Sequence, residues 1–250
     1  MVVTAEYPYV FPPVWFFLKA WCADVVLLAD VYKLPKRPRI NRYAIAGKDG
    51  RRGLTVPVHR PEGWRSSIDR VRIVSDASWK RSHLRSLANT YAMAPYLDYY
   101  REEMESLFRY EGDSFVEFAE RTILWLASKL GRPGVRWLRL SAFCTSGGGE
   151  SCLREACRRL GARGYVQLRD EPDVKNEESF VSQGLRIYQA KLPEFSYRNL
   201  AGEGDFSLSA LDLLLNWGPE AVCQLRQLSQ RMASEASIPV TQQAAQPMGG

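Results

Sequence analysis

Short apolar runs alternate with stretches of helical periodicity along most of the chain. The run Asp24–Asp30 predicts a buried strand, because apolar and β-branched residues fill it between two carboxylates. Further short strands are predicted at residues 54–58, 135–140, 165–168 and 185–189. A short helix or turn is predicted at 15–21, and helices at 79–93, 96–110, 114–130, 150–160, 207–216 and 219–232. Ser78 is predicted to cap the first of these longer helices. Strands that alternate with helices favour an α/β fold with a mainly parallel, Rossmann-like sheet covered by helices.

The length and composition predict one folded domain followed by a tail. The chain has 250 residues, of which 46% are hydrophobic, and residues 1–232 show no linker strong enough to divide them. Residues 233–250 are polar, rich in Gln and Ala and free of periodicity, which predicts disorder.

The net charge of +6 favours an anionic partner. A phosphorylated small molecule, a nucleotide sugar or a carrier-protein-bound acyl group would each fit this charge. Nucleic acid ranks below them, because the chain shows neither a basic stripe with stacking aromatic residues nor a known binding motif. The charge gives no prediction about the oligomeric state.

The cysteines and histidines argue against a structural metal or a disulfide framework. Five widely spaced cysteines include no CxxC pair, and the chain has only two histidines. Reduced thiols in the cytoplasm are therefore expected. The longest apolar stretch, residues 7–29, is interrupted by Lys19, Asp24 and prolines, so neither a transmembrane helix nor a signal peptide is predicted.

Asp30 is the first candidate for chemistry. It ends the predicted strand, and a basic loop with Lys33 and Arg39 follows it before Asn41 and Arg42. Ligands of open α/β sheets bind beyond the carboxyl ends of the strands. Asp30 could act as a base, orient an amine or bind a metal, but from the residues alone a capping role beside a solvated basic face is favoured.

His83 is the second candidate. It lies four residues after Trp79 on one predicted helix, so the two side chains share a face. A histidine near neutral pH is a versatile proton shuttle. The alternative is a half-buried histidine that stacks on Trp79, and the residues alone favour that alternative.

The glycine-rich turn Gly147–Gly149 is a weak candidate for phosphate binding. It opens a helix, but neither a dinucleotide-binding GxGxxG nor a phosphate-loop motif is present. No cofactor is therefore predicted. Cys144 beside this turn could be a nucleophile if a base lay close in space, whereas Cys152 and Cys157 occupy apolar helix positions and are predicted to be core.

Several segments, taken together and in order, resemble the WbqC-like family over about residues 7–221. The matching segments are Tyr7-Pro8 with Pro12, Phe16-Phe17 and Lys19; Ala23–Val31; Asn41-Arg42; Leu54–Val58; Trp79 with His83; Tyr91 with Ala94-Pro95-Tyr96; Leu160–Ala162 with Tyr165; and Leu208–Gly218. The chain departs from the family pattern at Ala29, Tyr32 and Gly53, where the family has Asp, Gln and Trp.

This resemblance implies a biosynthetic transferase that forms an amide or ester bond. It would move an aminoacyl group, possibly glycyl, or another acyl group onto a sugar or carrier-bound intermediate of a polysaccharide or specialised-metabolite pathway. His83 and Asp30 would be its catalytic residues. The expected substrate-binding residues are Asn41, Arg42, Thr55, Trp79, Tyr91, Asp212 and Asn216. The alternatives are a nucleotidyl or adenylate-forming enzyme and a non-catalytic scaffold that binds a pathway enzyme or carrier protein.

Overall fold

A computed structural model describes residues 1–33, 39–47, 50–61, 63, 66–144, 148–169 and 184–239. Its strands are β1 Val2–Glu6, β2 Val25–Leu28, β3 Arg42–Gly47, β4 Gly50–Thr55, β5 Val58–His59, β6 Arg72–Ile73, β7 Arg136–Arg139, β8 Gly164–Leu168, β9 Arg186–Ala190, β10 Tyr197–Asn199 and β11 Gly202–Gly204. Its α-helices are α1 Val14–Trp21, α2 Ser78–Thr90, α3 Leu97–Phe108, α4 Phe115–Leu130, α5 Gly149–Arg159, α6 Ala210–Trp217 and α7 Glu220–Glu235.

The five-stranded sheet is parallel throughout and has the order β7-β2-β1-β8-β9. The chain starts in the middle at β1, moves outward through β2 to β7, and then crosses back to β8 and β9. The direction of winding therefore reverses between β1 and β8, where Val3 of β1 aligns with both Val25 and Tyr165. A crevice at the carboxyl ends of the strands is expected at this reversal. The predicted α/β class with a parallel sheet and covering helices is confirmed.

The central strand β1 is the main element that the sequence prediction missed. All five of its residues are buried, but it stands at the very start of the chain and ends in a charged residue. A five-residue run without flanking turn signals gives too little periodicity to distinguish a strand from a disordered start. Its partner β2 lies inside the predicted run Asp24–Asp30, so that strand is confirmed.

Helices cover both faces of the sheet. On one face, α5 packs through Leu153 and Ala156 against Val3, Ala5 and Leu27. On the other face, a larger core includes residues of α1, α4, α6 and α7. The predicted apolar stripe of α4 is fully buried at Phe115, Phe118, Ile123, Leu126 and Leu130, as expected for a helix with one core-facing side.

The start of α2 differs from the prediction that Ser78 caps it. The helix begins at Ser78, and Asp76 accepts a hydrogen bond from the Ser78 backbone nitrogen at 2.8 Å. A carboxylate near free amides at a helix start gains from the helix dipole. Asp76 therefore provides the polar contact assigned to Ser78.

Between β2 and α2 the chain forms an antiparallel hairpin, β3–β4, which is a separate two-stranded sheet. Its register pairs Arg42 with Thr55 and Gly47 with Gly50. The sequence predicted a strand over 54–58, so the second strand of the hairpin begins earlier and ends earlier than predicted. Backbone pairing with β3 outweighs the low strand propensity of the Gly-Arg-Arg-Gly start of β4.

The expectation that all thiols are reduced is wrong for one pair. Cys144 and Cys152 form a disulfide eight residues apart in sequence. The 3-10 helix of residues 140–143 packs against α5. This packing brings Cys144 close to Cys152 in the first half of α5. Cys152 is buried as predicted, and Cys22, Cys157 and Cys223 are free. Burial raises the pKa of the Cys22 and Cys157 thiols to about 12.

The structure reaches into the segment that was predicted to be disordered. Helix α7 continues to Glu235, and Ile238 is buried against the core, so ordered structure extends beyond residue 232. Residues 240–250 lie outside the described residues, as do Lys36, Arg37, Gly147 and the acidic stretch 170–178. Within the described parts of the chain, no helix combines the length and the apolar character needed to cross a bilayer.

Candidate active site

A cavity of about 1160 Å³ opens beyond the carboxyl end of β1, at the winding reversal of the sheet. Its described lining comes from the segment that follows β1, from α1, from the β3–β4 hairpin and from the residues before α6. The lining residues are Glu6, Tyr7, Tyr9, Phe11, Pro13, Trp15, Lys19, Arg39, Ile40, Arg42, Tyr43, Ala44, Arg51, Gly53, Ser207 and Ser209. The volume exceeds what most drug-sized ligands need.

Glu6 and Lys19 form an ion pair, and both residues line this cavity. Glu6 is the last residue of β1, and Lys19 lies on α1, whose residues are all buried. The Lys19 ammonium donates to Glu6 Oε1 and to the Ala5 carbonyl, the latter at 3.3 Å. Their side chains are only 3% and 7% exposed. A buried ammonium on so apolar a helix requires such partners, and the pair therefore places a held carboxylate beside a large cavity.

The β3–β4 hairpin forms the basic wall of the cavity. Arg42 Nε donates to Thr55 Oγ1 at 3.1 Å, directly across the hairpin. Arg51 Nη1 donates to Ser207 Oγ at 2.8 Å and lies 3.7 Å from Asp205. The hairpin is thus fixed to the segment before α6, and two of its arginines face the cavity.

His83 lies behind this wall rather than in the cavity. The Tyr43 hydroxyl is 3.1 Å from His83 Nδ1, and His83 Nε2 is 3.2 Å from the Thr55 carbonyl oxygen. Since a carbonyl only accepts, Nε2 carries the proton and Nδ1 accepts from Tyr43. Burial lowers the pKa of His83 to about 4, so the ring is neutral at pH 7. Both ring nitrogens are therefore engaged. His83 contacts Tyr43 directly, and it contacts Thr55, the residue that pairs with Arg42 across the hairpin.

Trp79 and Asn41 complete this support. The Trp79 and His83 rings meet edge to face with centroids 5.1 Å apart. The alternative interpretation of His83 predicted contact with Trp79, but as a stack by a half-buried ring, whereas His83 is buried. Asn41 Nδ2 donates to the Val56 carbonyl at 2.9 Å, and Val56 donates back to the Asn41 carbonyl at 2.8 Å. Asn41 thus closes the base of the hairpin, Trp79 packs against His83 behind it, and both lie outside the described cavity lining.

Asp212 is the centre of a second support network. Its carboxylate accepts from the Tyr91 hydroxyl at 2.7 Å, the Tyr197 hydroxyl at 2.7 Å, Asn199 Nδ2 at 3.0 Å and the Ala46 backbone nitrogen at 3.3 Å. Asn216 Nδ2 donates to the Asp212 backbone carbonyl at 2.8 Å. Burial, and then the Asp212 charge, raise the pKa of Tyr91 and Tyr197 well above their usual value. Asp212 is fully buried, so the network fixes the far end of β3 without reaching the cavity.

Asp30 also lies outside the cavity lining. It is buried at the end of β2, where Oδ1 accepts from the Ser141 backbone nitrogen at 2.9 Å and Oδ2 from Ser141 Oγ at 2.6 Å. Its backbone carbonyl accepts from the Asp69 backbone nitrogen at 2.8 Å. Burial raises the pKa of Asp30, and the Ser141 hydrogen bonds oppose that rise. Asp30 thereby ties β2 to the turn after β7.

Of the catalytic and substrate-binding residues expected from the sequence, Arg42 alone lies among the described residues that line the cavity, and Arg39 of the basic loop after Asp30 lines it too. Sequence reasoning missed Glu6, Lys19 and Arg51 as site residues. A signal did exist for Lys19, because a single lysine inside the apolar stretch 7–29 needs a buried partner. No comparable signal marked Glu6, because its strand was not recognised.

Residues 7–224 match the sequence model of the WbqC-like protein family. The chain is similar to the uncharacterized protein Rv1507c of Mycobacterium tuberculosis (strain ATCC 25618 / H37Rv). The two sequences are 24% identical over 205 residues, which cover 81% of this chain and 88% of the relative. No solved structure gives a significant match to the chain.

Proposed function

The chain belongs to the WbqC-like protein family, and we propose that it is a biosynthetic transferase that forms an amide or ester bond. The donor is an activated aminoacyl or acyl group, and the acceptor is an anionic sugar or carrier-bound intermediate. The cavity beyond β1 is the proposed active site.

The observation that carries this proposal is the position of Glu6. Its carboxylate is held by Lys19 at the carboxyl end of the central strand and lines a cavity whose far wall is basic. A cation beside a carboxylate stabilises the charged form. A charged carboxylate within reach of a bound ligand is suited to accept a proton from it.

The proposed reaction needs a general base and a cationic group that binds the anionic part of the substrate. An amine or hydroxyl of the acceptor attacks the acyl carbon of the donor, and Glu6 takes the proton that the nucleophile loses. The bond between the acyl carbon and the donor's leaving group, a thiolate or a phosphate, breaks as the new bond forms. Lys19 holds the Glu6 carboxylate in place, and Arg42 binds the anionic part of the substrate.

The other candidate residues take positioning roles in this proposal. His83, Thr55, Asn41 and Trp79 hold the hairpin that presents Arg42. Tyr91, Asp212 and Asn216 anchor the far end of β3. Asp30 holds the end of β2 to the 3-10 helix that follows β7 and is assigned no contact with substrate.

The test is product formation by the purified protein with aminoacyl and acyl thioesters or phosphates as donors and amino sugars as acceptors, followed by mass spectrometry. We expect Glu6→Gln to lower kcat by about 10²- to 10⁴-fold, the usual contribution of a general base. Glu220→Gln, on the exposed start of α7, is the control and should keep full activity.

A second variant separates chemistry from folding. The double change Glu6→Gln, Lys19→Met removes both buried charges, so it avoids a buried ammonium that has lost the Glu6 carboxylate. A folded double variant without activity supports Glu6 as the base, and an active one rejects it. If the wild type turns over no donor but binds an acyl carrier protein tightly, the scaffold function replaces the transferase.

A further inference from the structure

The charges that line the cavity are unequal in number. Among the described residues, four cationic side chains and one carboxylate line it. Lys19 is paired with Glu6, and Arg51 lies 3.7 Å from Asp205. Within the described part of the lining, Arg39 and Arg42 are then the cations that remain available to bind a ligand. Two such charges match a dianion.

Arg39 and Arg42 are held close together by the backbone. The Arg42 backbone nitrogen donates to the Arg39 carbonyl at 3.1 Å, so a turn brings the two residues to the same rim. Both side chains are exposed and line the cavity. Paired guanidinium groups bind phosphate oxygens through several charged hydrogen bonds at once.

The Arg42 side chain is fixed before any ligand arrives. Its Nε donates to Thr55 Oγ1, and the Thr55 carbonyl is bound in turn by His83. Among the described residues, its two terminal nitrogens have no hydrogen-bond partner. Gly53 provides the space, because a methyl group at that position would lie 3.2 Å from Arg42 Nε. A guanidinium that is already oriented loses less entropy when it binds.

Aromatic side chains line the part of the cavity nearest α1. The Tyr9 and Trp15 rings meet edge to face at 5.8 Å, and Tyr7 lines the cavity beside them. Aromatic faces bind the rings of bases and sugars. The cavity is large enough for a ring and a charged group together.

We propose that the substrate is a diphosphate ester, whose diphosphate is bound by Arg39 and Arg42 and whose organic group lies against Tyr9 and Trp15. A nucleoside diphosphate and a prenyl diphosphate share this charged group. That the bound ester is a substrate rests on the proposed function, whereas its binding can be measured without turnover.

The test is calorimetric titration of the full chain with pyrophosphate, uridine diphosphate, farnesyl diphosphate and uridine. We expect pyrophosphate and at least one ester to bind. Arg42→Ala should weaken each diphosphate by at least about tenfold, as loss of a charged hydrogen bond does. Arg85→Ala, an exposed change on α2 outside the cavity lining, should bind like the wild type. Tighter binding of uridine diphosphate than of farnesyl diphosphate identifies a nucleoside ester, and the reverse order identifies a prenyl ester.

Gly53→Leu is a second probe that leaves every charge in place. Its side chain should displace Arg42 and weaken pyrophosphate binding, while the exposed position keeps the fold intact. If no diphosphate binds, or if Arg42→Ala and Gly53→Leu bind diphosphates like the wild type, the inference is wrong. Transfer onto an acceptor without phosphate would also overturn it and leave the transferase standing. Diphosphate binding that depends on Arg42, without any transfer, would keep the inference and reject the transferase.

Discussion

Glu6 and Asp212 are both buried carboxylates, but they have different kinds of partner. Glu6 is paired with the Lys19 ammonium and lines a large cavity. Asp212 accepts hydrogen bonds from two tyrosine hydroxyls, an amide side chain and a backbone nitrogen, all of them neutral. A sealed carboxylate with four neutral donors has no room for a reacting group, so its role is to hold the fold.

The same contrast separates Arg42 from His83. Arg42 has donors that face the cavity, whereas both His83 nitrogens are used inside the protein. Residue type alone would rank His83 as the better catalyst. A polar residue is therefore a candidate for the site when some of its hydrogen-bond donors or acceptors have no partner in the protein. It is a support residue when all of them are used inside the protein.

The largest expected effect is that of Asp212→Ala. It leaves four buried donors without their acceptor, so we expect the free energy of unfolding to fall by about 4 kcal/mol. Urea unfolding measures this loss. Asp98→Ala, which removes a surface pair with Arg101 whose aspartate side chain is 93% exposed, is the control and should stay within about 0.5 kcal/mol of the wild type. A small loss for Asp212→Ala would show that the network is not structural.

The next effect is the pH dependence that His83 gives to stability. Its folded pKa of about 4 lies below the ordinary value of 6.5, so the unfolded chain binds more protons between these values. The stabilisation is complete above pH 6.5 and is lost as the pH falls toward 4. The total loss in the free energy of unfolding is on the order of 3 kcal/mol.

Urea unfolding at several pH values tests this dependence. His83→Gln should remove that part of the slope, and His59→Gln, which changes the exposed second histidine, should keep it. A slope that survives in His83→Gln belongs to other groups and would contradict the assignment.

A smaller loss is expected for Lys19→Met. It removes the Lys19 ammonium from beside Glu6, but Glu6 borders the cavity and can be hydrated there, so we expect the free energy of unfolding to fall by about 2 kcal/mol. Adding Glu6→Gln should restore part of that stability, because the buried carboxylate charge is then removed as well. Urea unfolding of the two single variants and the double variant gives the coupling energy. A loss as large as that of Asp212→Ala would remove the contrast between the two carboxylates.

The smallest effect is expected for Asp30→Asn. One amide nitrogen would face a Ser141 donor in place of an acceptor, which should cost about 1 kcal/mol. Since Asp30 lies outside the cavity lining, transfer and diphosphate binding should stay at wild-type levels. A large loss of transfer activity or of diphosphate binding would show that Asp30 acts in the active site.

The sequence by itself determined the elements whose periodicity is strong. The apolar stripe of α4 and the run that holds β2 needed no tertiary information, because their burial patterns follow directly from spacing. The collinear motifs were enough to identify the family. They also marked His83 and Asp212 as special residues, although not what those residues do.

Only the tertiary structure decided which polar residues meet. Glu6 and Lys19 are thirteen positions apart and become partners because α1 packs back on β1. Thr55, His83 and Arg42 become one support because a hairpin packs on a helix. Such contacts depend on how elements pack, and no local pattern records packing. The sequence therefore named the important residues, while the fold determined which of them face a ligand and which hold the wall behind it.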